Sequence, residues 1–307
     1  MSGAPTADAP RADAPGASAA RAARAADWVT LTKPRLNLLV LITTLAGLYL
    51  AEPAGVSTSL LVNTLVGSAL VAGGAAALNQ VLERTTDALM RRTRNRPLAA
   101  GRLGSAEGSA LGAVLSLAGL VELALFTNLT AAAVAAVTLA SYVFVYTPLK
   151  TRTSLATLIG AVPGALPPVI GWAAATGSIS GPAIVLFGIV FLWQMPHFLA
   201  IAWMYRDDYA RAGIPLLPVL EPDGRRTGYQ ALLYAAVLWP VSLLPVITGL
   251  AGLPYAAVAT VLGFLYIGLS VRFAQERSPG TARRLFLFSI LYLTLLLGAL
   301  VANRVLM

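Results

Sequence analysis

The chain has 307 residues, of which 57% are hydrophobic and only 11% charged, where a soluble domain carries about 25%. It has no cysteine and a single histidine, His197, which excludes disulfides, thiolate chemistry and a multi-histidine metal centre. The formal net charge of +9 would suit a nucleic-acid partner, but the basic residues are distributed in the pattern of a membrane protein instead.

Residues 1–26 are rich in alanine and proline with scattered arginine and aspartate, and read as a disordered tail. No compact apolar stretch there is followed by a cleavage site, which argues against a cleaved signal peptide. Residues 27–307 read as one all-α, polytopic membrane domain. Nine apolar runs have the 17–25 residues or so that a bilayer core requires: 32–51, 58–82, 109–127, 130–147, 154–175, 182–205, 229–250, 254–274 and 284–303. Tight breaks such as Asn128-Leu129-Thr130 predict antiparallel neighbours. With this count, twenty-one of the 22 Lys and Arg residues fall on one face and only Arg304 on the other. The positive-inside rule makes the basic face cytoplasmic.

Topology accounts for most of these arginines but not for Asn79, Glu83 and Asp87 at the end of the second span. Carboxylates contribute little to orientation and are costly at depth. On a helix, steps of four advance about 40° around the axis and about 6 Å along it, so the three oxygens lie on one stripe. Arg91, Arg92, Arg94 and Arg96 follow directly. Such a row beside guanidiniums suits a divalent cation holding a phosphorylated substrate; the plainer alternative is that Glu83 and Asp87 merely pair with nearby arginines. Tyr205, Arg206, Asp207, Asp208, Tyr209 and Arg211 end the sixth span on the same face, and two acidic helix ends at one cavity would hold two Mg²⁺ ions with a diphosphate between them. Lys150 and Arg152 add positive charge nearby. His197 follows Pro196, which frees a carbonyl one turn back. The imidazole either bonds that carbonyl or meets a polar or metal-bearing ligand. Glu122 has no assigned chemistry.

The run Asn79-x₃-Glu83-x₃-Asp87, continued by Met90-x-Arg92-Thr93-x₂-Arg96-Pro97, resembles the first motif of the UbiA superfamily of membrane prenyltransferases. Leu31-Thr32-Lys33-Pro34-Arg35, Tyr146-Thr147-x-Leu149-Lys150, Trp193-Gln194-Met195-Pro196-His197-Phe198 and Asp208-Tyr209-x₃-Gly213-Ile214-Pro215 agree, and the Trp-Gln-Met-Pro-His segment narrows the likeness to the heme branch. The resemblance covers about residues 28–303. It implies nine helices around a central cavity open laterally to membrane lipid, in a bacterial inner membrane. It also implies transfer of farnesyl from farnesyl diphosphate to a vinyl group of protoheme IX, with water adding, to give heme O. Mg²⁺ is the implied cofactor, and a heme A synthase or terminal oxidase assembly the implied partner. Asn79, Glu83, Asp87 and Asp208 take the metal and catalytic roles. Arg92, Arg96, Lys150 and Arg206 hold diphosphate, Tyr146 and Tyr205 line the cavity, and His197 faces the porphyrin. Many superfamily members carry Asp where Glu83 stands, and Asp207 has no counterpart role. A prenyltransferase of an aromatic quinone precursor, or a secondary transporter with Pro- and Gly-interrupted helices, are the competing expectations.

Overall fold

The computed structural model describes residues 17–52 and 54–306, and among these there are helices and turns but no strands. In chain order the helices are α1 (Ala17–Leu31), α2 (Pro34–Ala51), α3 (Thr58–Leu89), α4 (Ser105–Phe126), α5 (Leu129–Leu149), α6 (Ala156–Thr176) and α7 (Gly181–Met204). Then come α8 (Arg206–Arg211), α9 (Leu217–Leu220), α10 (Arg225–Ile247), α11 (Leu253–Glu276) and α12 (Pro279–Leu306). Nine of them, α2 to α7 and α10 to α12, have the length and apolar composition to cross a membrane, matching the nine expected spans. Large apolar side chains such as Leu117, Leu125, Leu129 and Leu253 are exposed on the outside, where lipid is their solvent. This is a multi-pass membrane protein.

The expected disordered tail is corrected over part of its length. Residues 17–26 belong to α1, because an alanine- and arginine-rich stretch has high helix propensity; residues 1–16 lie outside the described ones. Helix α1 is joined to the body by polar contacts. Arg102 donates two hydrogen bonds of 2.9 Å to Asp27, and Arg24 pairs with Glu107.

Two packing devices place the site. Helices α3 and α4 approach closely through small residues, and a Cβ on Gly74 would lie 2.7 Å from the Gly112 carbonyl oxygen. Helix α3 starts at Ser57, whose Oγ accepts from the Leu60 amide, and runs on to Leu89, well past the end of the expected span at 82. The whole Asn79–Asp87 stripe therefore sits on one unbroken helix. On the other side α7 is fixed by buried hydrogen bonds. Trp193 Nε1 donates to the Ser289 carbonyl at 2.6 Å, and Tyr266 Oη to the Trp193 carbonyl at 3.1 Å.

Prolines shape the helices between. In α5, Ser141–Tyr146 form a π turn and the Thr147 amide reaches back to the Tyr142 carbonyl. Pro148 offers no N–H and its ring crowds the carbonyl four residues earlier, so the turn before it opens. Helix α6 bends at Leu166, where Pro167 and Pro168 interrupt its hydrogen-bond ladder.

Candidate active site

Asn79, Glu83 and Asp87 are all buried, at 1%, 7% and 1% exposure, and each meets a cation. Lys33 Nζ donates to Asn79 Oδ1 at 2.8 Å. Lys150 Nζ donates to Glu83 Oε1 at 3.0 Å, and Arg96 Nη1 to Asp87 Oδ2 at 2.7 Å. The cations come from three separate places: the α1–α2 junction, the residue after α5, and the loop after α3. Asn79 Nδ2 donates to Thr147 Oγ1 at 3.1 Å, which turns its oxygen toward Lys33. The plainer alternative of carboxylate–arginine pairing is thus realised for Asp87, whereas Glu83 pairs with a lysine.

Asp87 Oδ1 is buried without a partner. An unsatisfied carboxylate oxygen in that position is costly, and it belongs to a set of one amide and two carboxylate oxygens. Hard oxygen donors of this kind fit a divalent cation such as Mg²⁺. No cluster of three or more His, Cys, Asp or Glu side chains forms among the described residues, so Asp208 does not come together with Glu83 and Asp87.

Lys33 adopts φ 48°, ψ 58°, a left-handed conformation that costs a non-glycine residue about 1–2 kcal/mol. Pro34 disfavours the right-handed helical region for the residue before it. Gln80 Nε2 holds the approach by donating to the Leu31 carbonyl at 2.8 Å, and Asn37 Nδ2 donates to the Thr32 carbonyl. Burial, reinforced by the nearby Arg96 charge, pulls the Lys33 ammonium down to about 8. The sequence reading counted this lysine among the topology charges; its place directly before a helix-opening proline was the available signal.

Beside the stripe lies a cavity of about 370 Å³. Lys33, Lys150, Tyr146 and Tyr209 line it, while most of the remaining wall is apolar. The Tyr142 and Tyr146 rings stack with centroids 5.5 Å apart, and Tyr146 packs across the bare backbone of Gly160. The π turn in α5 lets Tyr142, Tyr146 and Lys150 all reach the cavity. Of the residues expected at the site, Tyr146 and Lys150 line this cavity, and Asn79, Glu83, Asp87 and Arg96 form the stripe beside it.

The others are placed differently. Arg92 donates to Tyr209 Oη at 3.3 Å and lies 5.3 Å from the centre of the Tyr205 ring, one residue removed from the cavity wall. Tyr205 itself is 40% exposed and does not line the cavity. Arg206 stacks over Trp203 at 4.4 Å, and Asp208 pairs with Arg211 on the same short helix. The cause is the break at Tyr205 (φ −113°, ψ 21°) between α7 and α8, which turns Tyr209 rather than Tyr205 or Asp208 into the cavity. His197 does not line it either. Its Nδ1 is 2.7 Å from Ser289 Oγ, and its ring packs on Trp193 and Phe286, so it faces α12. Gln194, Phe198, Ile201 and Ala202 are the α7 residues on the cavity wall. Lys33, Tyr142, Tyr209 and Gln194 are site residues that the sequence reading left unassigned.

A nine-span helical bundle with an oxygen stripe and three cations at the edge of an apolar cavity defines a membrane-embedded site for an amphiphile with an anionic head. The UbiA prenyltransferase family profile matches residues 40–296, and the chain belongs to that family. It is 46% identical to the protoheme IX farnesyltransferase of Solibacter usitatus (strain Ellin6076) over 287 residues, 91% of this chain and 98% of the relative. Its fold superimposes with a TM-score of 0.78 on a digeranylgeranylglyceryl phosphate synthase, at 17% identity, covering 92% of this chain and 98% of the other. A UbiA homologue from Archaeoglobus fulgidus bound to GPP and Mg²⁺ gives a TM-score of 0.65 at 16% identity, covering 91% and 99%.

Proposed function

We propose that this protein transfers farnesyl from farnesyl diphosphate to a vinyl group of protoheme IX, with addition of water, to give heme O. The observation that carries the reading is the stripe itself: three buried oxygen-bearing side chains, each paired to a cation from a different element, at the edge of an apolar cavity. The 46% identical relative supplies the acceptor. The basic face that carries the site is the cytoplasmic one, by the distribution of Lys and Arg.

Asn79, Glu83 and Asp87 would hold Mg²⁺, with the unpartnered Asp87 Oδ1 as its first ligand. When bound, Mg²⁺ neutralises the charge that develops on the departing diphosphate. In the substrate-free protein Lys33, Lys150 and Arg96 keep the stripe's oxygens in place. When an anionic head arrives, the same cations turn to its oxygens, so the donors are already aimed where charge appears during bond cleavage. Arg92, steered by Tyr209 and Tyr205, adds a further donor at the mouth. The Tyr142 and Tyr146 rings present π faces to the positive charge left on the allylic carbon. The apolar wall takes the isoprenoid chain and keeps bulk water from that carbon. Asp208, which pairs with Arg211 in the metal-free protein as Asp87 does with Arg96, would serve a second Mg²⁺ or its coordinated water. The product serves terminal oxidases directly or through a heme A synthase.

The test is acceptor choice in purified, detergent-solubilised protein supplied with farnesyl diphosphate, Mg²⁺, protoheme and an aromatic acid. Chromatography should show farnesylated heme and unchanged aromatic acid. Prenylation of the acid with protoheme untouched would overturn the assignment in favour of a quinone-precursor enzyme.

A further inference from the structure

The proposed reaction consumes one water, yet the cavity must keep water away from the allylic cation that forms first. A site is therefore required that holds a single water molecule and releases it only to the second cation, the one formed next to the porphyrin ring. Gln194 has the properties of such a site. Its side chain is 2% exposed and lies on the cavity wall. Nε2 donates to the Ala161 carbonyl at 2.8 Å, which fixes which end of the amide is which. Among the described residues no donor reaches Oε1. An amide oxygen at the edge of an apolar cavity, with its own nitrogen already satisfied, is an acceptor without a partner.

The neighbouring helix is cut to accommodate it. Oε1 sits over Gly164, where a Cβ would overlap it. Pro167 and Pro168 have no N–H, so the Pro163 and Gly164 carbonyls lose the donors of a continuous helix. Pro163, Gly164 and Pro167 line the same cavity as Gln194. Its depth also fits. Tyr146 packs over Gly160 and Gln194 over Gly164, four residues or about 6 Å along α6. Gln194 is thus about one turn of α6 removed from the tyrosine beside the stripe, so a water it holds is set back from the diphosphate end, where the allylic cation forms, and lies toward the acceptor.

We infer that Gln194 Oε1 positions the water that quenches the second carbocation of the reaction; this rests on the farnesyl-transfer reading. The allylic C–O bond breaks with its electron pair leaving on diphosphate. The vinyl π pair then forms the new C–C bond to the farnesyl carbon and leaves positive charge on the vinyl carbon attached to the ring. The water held by Gln194 forms the C–O bond there, and its proton goes to the released diphosphate, the base that the reaction itself generates. Without a positioned water the same cation loses a proton from the adjacent carbon, which gives an alkene lighter by one water.

The experiment measures the ratio of hydroxylated to alkene product by chromatography and mass spectrometry, in heavy-oxygen water, for wild type, Gln194→Leu and Gly164→Ala. Wild type should give the hydroxylated product with label incorporated. Gln194→Leu should shift the ratio at least tenfold toward the alkene, and Gly164→Ala in the same direction, because its methyl displaces Oε1 without removing the amide. If Gln194→Leu does not fold, Gly164→Ala decides. A wild-type product ratio in the folded variants, even with slower turnover, overturns the inference and leaves the amide a structural tie to Ala161. Absence of any farnesylated heme from wild type would instead remove the functional reading, and this inference with it.

Discussion

Lys150 and Glu83 make a buried ion pair whose loss can be worked through in numbers. The charges are 3.0 Å apart, with side-chain exposures of 14% and 8%. At an effective dielectric of 20 their attraction is roughly 5 kcal/mol, most of which offsets the cost of taking both charges out of water. The intact pair therefore contributes little net stability, whereas removing one partner strands the other. Lys150→Met should destabilise the protein by about 3–5 kcal/mol, which lowers the apparent melting temperature in detergent by roughly 10 °C at a few degrees per kcal/mol. Adding Glu83→Gln to that background should recover most of the loss, since the stranded charge is gone. Product formation should be absent in both variants, because the anchor for diphosphate is missing from each. The two assays are thermal unfolding followed by tryptophan fluorescence and turnover of farnesyl diphosphate. Lys150→Met melting at the wild-type temperature, or failure of the double variant to regain stability, would refute the stranded-charge reasoning.

Asp87→Ala should abolish product formation while membrane insertion is unchanged, as read by heme chromatography and by the amount of protein in washed membranes; wild-type turnover would remove the metal role. Gly160→Ala places a methyl about 2.5 Å from the Tyr146 ring, so turnover should fall roughly tenfold, about 1.4 kcal/mol of barrier, with far less effect on folding. Unchanged kinetics would mean that Tyr146 is not needed where it stands. His197→Ala removes one of the two hydrogen bonds at Ser289 Oγ, which still donates to the Phe286 carbonyl, and takes a ring from the Trp193–Phe286 stack. Its expected cost is about 1–3 kcal/mol of stability, with farnesyl diphosphate binding retained. A selective loss of heme use in a fully stable His197→Ala protein would instead restore the porphyrin-facing role.

What could be read from the sequence was what helix geometry and charge placement dictate. The spacing of Asn79, Glu83 and Asp87 puts their side chains on one face of any helix, and α3 is continuous through all three. The nine spans followed from apolar length, supported by the one-sided distribution of Lys and Arg. What could not be read was set by tertiary contacts. Lys33 and Lys150 meet the stripe across separations of 46 and 67 residues, which no local spacing rule reveals. The second acidic cluster looked equivalent to the first until the break at Tyr205 turned Asp208 toward Arg211 and Tyr209 toward the cavity. His197 and Gln194 are three residues apart on one helix, and only the packing of α12 shows that the imidazole faces a neighbouring helix while the amide faces the cavity. Helix α1 was missed because an alanine-rich, charged stretch has the composition of both a disordered tail and a good helix.

The central claim is that this site joins a farnesyl group to protoheme. Expressing the chain in cells that make protoheme but no farnesylated heme, and separating the extracted hemes, tests it most directly. A new heme heavier by one farnesyl and one hydroxyl group, absent from cells expressing Asp87→Ala, is the predicted result. An unchanged heme profile, with the wild-type protein present and folded in the membrane, would contradict it.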